Sequence, residues 1–337
     1  MSPDERCTHT MARTGGPHPK RQCECTSPFR TARKRSAWVS AMAKKTLFVS
    51  FSGGRTSGYM CHWLLENKSD EYDLIFVFAN TGLEHEKTLE FVDRCDKEFG
   101  LNVVWVEAVV NPEKGKGIRH KVVDYETAAR KGEPFEAFVK KYGISNQAYN
   151  QCSERLKTYP MESYRRSLGF KGNHQTAIGI RSDEPKRISP NAKKLGLIYP
   201  LCTMTQATLA EVRHWWKDQS FDLDLPTHYG NCVTCWKKSD RKLMTIAKHE
   251  PYYFGFMDRM EKNYCWAGAG DKKRVFFRRN RTARDILAAS KEPFKEFVDT
   301  MPEYQLGLFP TDEKIAVLIE MSEMDIEEDC GAGCEIT

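Results

Sequence analysis

The sequence predicts an α/β protein built on a doubly wound, mostly parallel sheet. Three short apolar runs, at 46–50, 74–79 and 102–107, alternate with segments that have a helical hydrophobic period. Such alternation is typical of parallel strands joined by crossover helices. Glycine-containing turns follow the first two runs directly. Because ligands of these sheets bind at the carboxyl ends of the strands, we expect both turns to line one crevice.

The elements follow in order along the chain. The first run leads into a helix that ends near residue 66, and the second into a helix whose apolar face includes Leu89 and Cys95. After the third run, Phe135 and Phe138 indicate a short helix. Further helices are predicted at 154–168 (bent or started near Pro160), 205–216, 237–249 and 313–321, with a fourth strand at 175–180 and a loop at 222–236.

Length and charge limit the classes of function. The chain has 337 residues, of which 40% are hydrophobic, and its longest apolar runs are far shorter than the ~20 residues of a membrane-spanning helix. No apolar segment typical of a secretion signal follows the N-terminus, so we expect a cytoplasmic protein without a membrane partner. Residues 1–41 hold eight basic and three acidic residues and so carry most of the net charge of +6. Nucleic acid is therefore only a weakly supported partner.

Composition divides the chain into four regions. Residues 1–41 are rich in Pro, Ser, Thr, Gly and Arg, and we predict a disordered basic extension. Residues 42–217 form the predicted α/β domain, with an insertion at about 108–150. Residues 218–320 form a predicted C-terminal region of helices and loops, and residues 321–337 an acidic tail that contains cysteine.

The first turn has the chemistry of an anion site, with the sequence Ser52-Gly53-Gly54-Arg55-Thr56-Ser57. Paired glycines let successive backbone N–H groups converge on an anion, and the following helix points its positive end at the same place. The three hydroxyls add donors, and Arg55 adds a positive charge. The spacing differs from that of a Walker A loop, and an ordinary strand-to-helix turn is the alternative.

The order of the motifs resembles that of the PP-loop enzymes, also called the adenine nucleotide alpha hydrolase-like superfamily. Within it the chain is most similar to the phosphoadenosine phosphosulfate (PAPS) reductase family. The matching segments, in the family's order, are SFSGGRTS at 50–57, FANTGLEHEKTLEFVD at 78–93, CSERLKTYP at 152–160, GIRSDEPKR at 179–187 and YPL at 199–201. The resemblance implies a parallel sheet that binds an adenine nucleotide (PAPS, adenosine phosphosulfate or ATP), with chemistry near its phosphate or sulfate.

The resemblance also implies roles for single residues. The terminal phosphate or sulfate would be held by Ser52, Gly53, Gly54, Thr56 and Ser57. Asn80, Thr81 and Gly82 would lie near the nucleotide, although the family often has Asp at the position of Asn80. Cations would come from Lys157, Arg181 and Arg187, the first two acting in catalysis. Solvated surface charge is the alternative for these cations.

Cys232 and Cys235 form a C-x-x-C sequence. Its spacing suits a metal or iron–sulfur site or a redox dithiol, and a chance occurrence is the third interpretation. The iron–sulfur branch of the family ligates a 4Fe-4S cluster with a Cys-Cys pair and a later C-x-x-C. The resemblance therefore implies Cys152, Cys232 and Cys235 as ligands, although Gln precedes Cys152 here. Cys202 is the candidate for the fourth ligand, followed by Cys265. Zinc, a three-cysteine cluster with an open iron, and no metal are the alternatives.

The reductase branch uses a mobile C-terminal cysteine, which attacks the sulfate sulfur and is regenerated by thioredoxin. Cys330-Gly331 resembles that tail, so Cys330 is a candidate nucleophile and a thioredoxin-like reductant a candidate partner. The acidic residues around Cys330 disfavour its thiolate. As alternatives, Cys330 and Cys334 form a redox or persulfide-carrying pair, or the tail is plain acidic chain.

Three hypotheses of function follow. The first is thiol-dependent reduction of phosphoadenosine or adenosine phosphosulfate to sulfite. The second is an ATP pyrophosphatase that adenylates a target for sulfur transfer, with Mg²⁺ as a cofactor. The third is a nucleotide-binding regulator without turnover. A basic run over 272–281 is interpreted as a solvated face in preference to a polynucleotide contact.

Overall fold

A computed structural model describes residues 44–172, 174–268 and 272–299. Its strands are β1 Lys45–Ser50, β2 Tyr72–Asn80, β3 Val104–Val110, β4 Ile118–Val123, β5 Thr176–Ala177 and β6 Leu197–Ile198. They form one sheet in the order β4-β3-β2-β1-β5-β6. All neighbouring strands are parallel except β3 and β4. This sheet confirms the predicted fold class.

Helices flank the sheet and continue beyond it. The described residues form α1 Arg55–Lys68, α2 Glu86–Phe99, α3 Glu133–Tyr142, α4 Tyr159–Ser167, α5 Ala192–Leu195, α6 Pro200–Thr203, α7 Leu209–Lys217, α8 Asp240–His249, α9 Phe254–Tyr264 and α10 Ala283–Ala289. A π-helix at Glu154–Thr158 runs directly into α4. None of these helices is long and apolar enough to cross a membrane.

Side chains of the strands alternate between the two faces of the sheet. Leu47 and Val49 of β1 belong to a large core that also contains Trp216 of α7. Phe48, which lies between them, packs with Val77 of β2 in a smaller core on the other face. The central strands are therefore buried on both faces, which explains their continuous apolar runs.

Several elements differ from the sequence expectation. The predicted strand at 175–180 pairs only over Thr176–Ala177. Strand β4 lies inside the 108–150 segment, and the sequence does not predict it because most of its side chains are exposed or half-buried and lack apolar alternation. Helices α9 and α10 fall where no helix is predicted. The predicted helix at 313–321 lies outside the described residues.

The basic run over 272–281 is a solvated face only in part. Arg274 is buried, and its guanidinium lies 3.7 Å from the centre of the Tyr149 ring. Arg281 forms an ion pair with Asp240 at the start of α8. These two arginines therefore join elements of the fold, and the expectation of a solvated face is wrong for them.

Candidate functional site

The turn after β1 is organised by the hydroxyl of Ser57, a residue that is 2% exposed. Its Oγ accepts from the backbone N–H groups of Ser52 at 3.2 Å and Gly54 at 3.3 Å. It also lies 2.9 Å from the Ser52 hydroxyl and 3.0 Å from the Gly54 carbonyl, to which it can donate. Ser57 thus fixes, from inside the turn, the backbone on which an anion would rest.

The two glycines of the turn differ in their surroundings. Gly53 has φ of +80°, and a Cβ there would lie 2.6 Å from Cγ2 of Thr88 on α2. Gly54 has an ordinary φ of −104°, and a Cβ there would meet Oγ of Ser52 only at 4.0 Å. Gly53 is therefore required by the backbone of the turn, whereas Gly54 leaves space on its open side.

The N-terminus of α1 follows this turn directly, so its first backbone N–H groups point toward residues 52–54. Helix α7 holds this helix end in place. Nε1 of Trp216 donates to the carbonyl of Arg55 at 2.8 Å, and a Cβ on Gly58 would lie 2.9 Å from the Trp216 ring. The first turn of α1 contains no acidic residue, so its positive polarisation is not offset there.

A cavity of about 260 Å³ opens beside the turn, and we call it the SGG cavity. It is bounded by residues 52–57, by the start of α7 and by the loop that contains Leu223–Asn231. Among the described residues that line it, the charged ones are all arginines: Arg55, Arg181, Arg187 and Arg213. The cavity is therefore polarised toward anionic ligands.

Arg181 and Arg187 lie where the sequence predicts cations for the anion. Nη1 of Arg181 donates to Oγ1 of Thr56 at 3.2 Å, and its Nε donates to Asp183 at 2.9 Å. Nη1 of Arg187 donates to Glu184 at 2.6 Å. The two carboxylates hold the guanidinium groups at the cavity wall, and the role of these arginines in binding stays a prediction.

Arg55 is engaged differently from its predicted role. Its Nε donates to Oδ1 of Asp222 at 2.6 Å, and its Nη2 donates to the carbonyl of Leu223. Asp222 therefore neutralises the charge that the sequence analysis assigns to the anion. The side chain ties the 222–223 loop to the start of α1 and so contributes to the cavity wall.

Arg213 is a cavity residue that the sequence analysis does not identify. It lies on α7, whose apolar face is formed by Leu209, Val212 and Trp216. Spacings of three and four residues place Arg213 beside that face, directed toward the protein. An arginine beside the apolar face of a helix could have indicated a buried binding partner, because charged side chains are rarely directed inward without one.

The turn after β2 is held by Asn80, which is fully buried. Its Nδ2 donates to Oε1 of Glu107 on β3 at 2.6 Å and to the carbonyl of Ala129 at 2.9 Å, and its Oδ1 accepts from the N–H of Gly82 at 3.1 Å. The amide of Asn80 is thus used within the fold. Residues 80–82 are not among those that line the SGG cavity, so the two turns do not share it.

Thr81 instead faces the C-x-x-C segment. Its Oγ1 lies 3.3 Å from Sγ of Cys232 and donates to the carboxylate of Glu84 at 2.9 Å. Burial raises the pKa of Cys232 to about 12, and the carboxylate of Glu84 adds to the rise, whereas the charge of Lys157 opposes it. Lys157 therefore lies beside Cys232 and is not among the residues that line the SGG cavity.

The backbone of the C-x-x-C segment is fixed by neighbouring elements. Val233 donates to the carbonyl of Leu83 at 2.9 Å. The buried ammonium of Lys238 donates to the carbonyls of Cys232 at 2.9 Å and Val233 at 2.8 Å. A lysine at this position stabilises the loop through carbonyls and also places a positive charge close to the cysteines.

The proposed set of four metal-binding cysteines is not brought together. Over residues 44–172, 174–268 and 272–299, no group of three or more His, Cys, Asp or Glu side chains is placed to hold a metal ion. Cys152 packs against the larger core, whereas Cys202 packs against the core on the other face and donates to the carbonyl of Ile180 at 3.1 Å. Cys152 and Cys202 thus pack against different cores, and the assignment of Cys202 as the fourth ligand stays a prediction. The described cysteines are therefore not arranged as a ligand set, and the cluster stays a prediction.

The candidate nucleophile Cys330 and its neighbour Cys334 lie outside the described residues. The extension 1–41 and the acidic tail 321–337 also lie outside them. The proposed roles of these segments stay predictions.

Comparison with known sequences agrees with this geometry. A sequence model described as the phosphoadenosine phosphosulfate reductase domain matches residues 46–195, which include the SGG turn, Arg181 and Arg187. The chain is also similar to the uncharacterized nin region protein ORF290 of Escherichia phage lambda. The two are 39% identical over 206 residues, or 60% of this chain and 69% of the phage protein.

Two uncharacterized proteins of Methanocaldococcus jannaschii are more distantly similar. One is 28% identical over 141 residues and the other 30% identical over 116 residues. The matches cover 42% and 34% of this chain, but only 24% and 22% of the archaeal proteins. The matched family domain and the long similarity to the phage protein agree with the motif order, and the chain belongs to the phosphoadenosine phosphosulfate reductase family.

Proposed function

We propose that this protein binds an adenine nucleotide at the SGG cavity and reduces its phosphosulfate group to sulfite with a thiol. The proposal rests chiefly on the cavity itself. A glycine-rich turn, a helix N-terminus and four arginines border one space, and no carboxylate of the described chain lines it. Backbone N–H groups and guanidinium groups are the donors that bind phosphate and sulfate best.

The position of Asp299 supports a thiol from the C-terminal segment. Asp299 is the last residue before the undescribed end of the chain, and it accepts from the N–H of Thr227 at 2.8 Å and from its hydroxyl at 3.0 Å. Thr227 lines the SGG cavity. The chain that carries Cys330 therefore continues from the cavity wall, and about 30 residues of chain are long enough to return to it.

In the proposed reaction the thiolate of Cys330 attacks the sulfur of the phosphosulfate. The bond between that sulfur and the bridging oxygen breaks, and the nucleotide leaves with the electron pair on its phosphate oxygen. One thiol of a dithiol reductant of the thioredoxin class then attacks the Cys330 sulfur and releases sulfite, which leaves a mixed disulfide. The second thiol of the reductant attacks that disulfide, so the Cys330 thiolate is regenerated and the reductant ends as a disulfide. Arg181, which contacts Thr56, would stabilise the charge that develops on the departing phosphate.

The cysteines beside Thr81 favour a second candidate, the ATP pyrophosphatase. Cys152 lies close enough to Cys232 to raise the pKa of that thiol, which places two thiols near the second turn of the sheet. In this reaction ATP adenylates a target and pyrophosphate leaves. A persulfide on one cysteine, loaded by an external sulfur donor, then displaces AMP with its outer sulfur, while the second thiol forms a disulfide with the donor cysteine. Mg²⁺ would be held mainly by the ligand's phosphates and water, because no described carboxylate lines the cavity.

The discriminating experiment measures two products with the full-length protein under anaerobic conditions. Sulfite release is assayed with PAPS and with adenosine phosphosulfate in the presence of thioredoxin, and pyrophosphate release is assayed with ATP and Mg²⁺. We expect repeated turnover with sulfite as the product, and we expect Cys330→Ser to abolish it. Cys334→Ser is the matched control in the same tail and should still release sulfite.

The outcomes separate the three hypotheses. If the protein releases pyrophosphate but no sulfite, and Cys330→Ser releases as much pyrophosphate as the wild type, the pyrophosphatase hypothesis would replace the reductase hypothesis. Nucleotide binding without either product would indicate a regulator. Sulfite release that survives in Cys330→Ser would keep the reductase and reject the assigned nucleophile.

A further inference from the structure

Arg213 differs from the other arginines of the SGG cavity in how its charge is satisfied. Arg55 has a carboxylate oxygen at 2.6 Å, Arg181 has one at 2.9 Å, and Arg187 has one at 2.6 Å. Among the described residues, the carboxylate paired with Arg213 is that of Asp299, at 4.0 Å from Nη2. That distance is at the limit for an ion pair and beyond a hydrogen bond.

The Nη1 atom of Arg213 is buried and has no hydrogen-bond partner within the described part of the chain. The side chain as a whole is 20% exposed. Burial lowers the pKa of its guanidinium; Asp299 opposes this, and the neighbouring charges of Arg55 and Arg181 add to it. A guanidinium stays charged under these conditions, so its buried unmet donor favours a bound anion.

Asp299 has better partners than Arg213. Its two carboxylate oxygens accept from the backbone and hydroxyl of Thr227 at 2.8 and 3.0 Å. The Asp299 carboxylate is therefore held by Thr227 and only approaches Arg213. An anionic group that enters the cavity can compete for Arg213 without first breaking a hydrogen bond.

We propose that Arg213 binds a second anionic group of the ligand, in place of its weak contact with Asp299, while the SGG turn binds the first. This inference rests on the proposed function, because it assumes that the turn holds a phosphate or sulfate. It defines the ligand class as nucleotides that present two neighbouring anionic groups, as a phosphosulfate or a diphosphate does. Arg213 is thus assigned as a specificity-determining residue.

The test compares binding of inorganic phosphate and pyrophosphate by calorimetry, with the full-length protein. Pyrophosphate carries two linked anionic groups and phosphate only one, so their affinity ratio reports the second contact. We expect Arg213→Met to weaken pyrophosphate at least tenfold and to change phosphate less than twofold. Arg213→Lys, which keeps the charge without the planar fork, should fall between the two.

Asp299→Asn provides a test with the opposite sign. If Arg213 binds the ligand, removal of the competing carboxylate should strengthen pyrophosphate binding several-fold. If Arg213 only pairs with Asp299, both variants should weaken binding to similar extents, and the inference would be rejected. Arg94→Met is the matched control, because Arg94 is an exposed residue of α2 that packs on Phe221 and does not line the cavity.

The remaining outcomes are also decisive. Equal affinity ratios in the wild type and Arg213→Met, with both proteins folded by circular dichroism, would overturn the inference and leave the proposed anion site intact. A wild-type protein that binds neither anion would overturn the inference together with the proposed function.

Discussion

Asn80 and Glu107 form a buried pair across β2 and β3, in which the amide Nδ2 donates to the carboxylate at 2.6 Å. Neither residue is exposed to solvent. The same carboxylate accepts from the N–H of Ala129 at 2.6 Å and lies 2.7 Å from the ammonium of Lys121. The pair explains why an amide suits this position, because an aspartate there would place a second carboxylate against that of Glu107.

Asn80→Asp should therefore destabilise the protein strongly at neutral pH. Loss of one partner in a buried charged network costs about 3–5 kcal/mol. The two facing carboxyls can share a proton when the pH falls, so the loss should shrink toward pH 5. Urea unfolding at pH 8 and pH 5 measures the effect. The double variant Asn80→Asp/Glu107→Gln should recover most of the stability, and equal losses at both pH values would contradict this account.

Gly53→Ala should abolish anion binding, because the Cβ would lie 2.6 Å from Thr88 in a backbone with φ of +80°. Gly54→Ala is the matched variant, since its Cβ meets no protein atom closer than 4.0 Å. We expect Gly54→Ala to keep wild-type stability. It should lose affinity for phosphate only if the bound anion lies against the open side of Gly54. Thermal melting with phosphate titration measures both properties. Equal destabilisation by the two substitutions would contradict the difference in their surroundings.

His228 should make the protein less stable as the pH falls. Burial, with the charge of Lys238, lowers its pKa from 6.5 to about 4, while Asp299 opposes the shift. The unfolded chain therefore binds the proton first, and stability is lost as the pH falls from about 6.5 toward 4. The loss from this group is at most about 3 kcal/mol.

The substitution His228→Phe tests this prediction because it keeps the ring packing on Tyr229 and Phe297. The difference in unfolding free energy between the wild type and the variant should change between pH 7 and pH 4, in favour of the variant at low pH. A pH-independent difference would show that His228 titrates normally in the folded protein.

Glu261 joins α9 to the segments that follow it. Its carboxylate accepts from the N–H of Phe276 at 3.0 Å and from the N–H of Ala283 at 2.9 Å, and burial raises its pKa. Glu261→Ala leaves two buried donors unmet and should cost about 2–5 kcal/mol. Glu261→Gln keeps one acceptor and should cost clearly less. Denaturant unfolding measures both; similar losses for the two would point to packing as the cause.

Cys202→Ser should not change the metal content of the protein. Cys202 packs against the smaller core, whereas Cys152 packs against the larger one, and the Cys202 thiol donates to the carbonyl of Ile180. Iron and sulfide analysis of the wild type after anaerobic reconstitution first establishes whether iron is bound, and Cys202→Ser is then compared with Cys232→Ser. A loss of iron in Cys202→Ser equal to that in Cys232→Ser would restore Cys202 to the ligand set.

The SGG turn and the central strands could be predicted because their signals are local. The apolar runs at 46–50 and 74–79 are short continuous stretches of sequence, and most of their apolar side chains are buried. Gly53 adopts a positive φ, which glycine allows. The position of Arg181 at the cavity was predictable because it closes a predicted strand at the ligand-binding edge of the sheet, whereas that of Arg187 was indicated only by the family resemblance. Strand β4 was not predictable, because its mostly exposed or half-buried side chains give no periodic pattern.

The sequence by itself determined the α/β class, the family and the glycine-rich turn after the first strand, since each depends on short segments and their order. Only the tertiary structure decided that Arg55 pairs with Asp222, that Asn80 donates to Glu107, and that Cys152 and Cys202 pack against different cores. It also placed Arg213 in the cavity with an unmet donor. The physical reason is that these outcomes depend on charges and hydrogen-bond partners from distant parts of the chain, which become neighbours only when the elements pack.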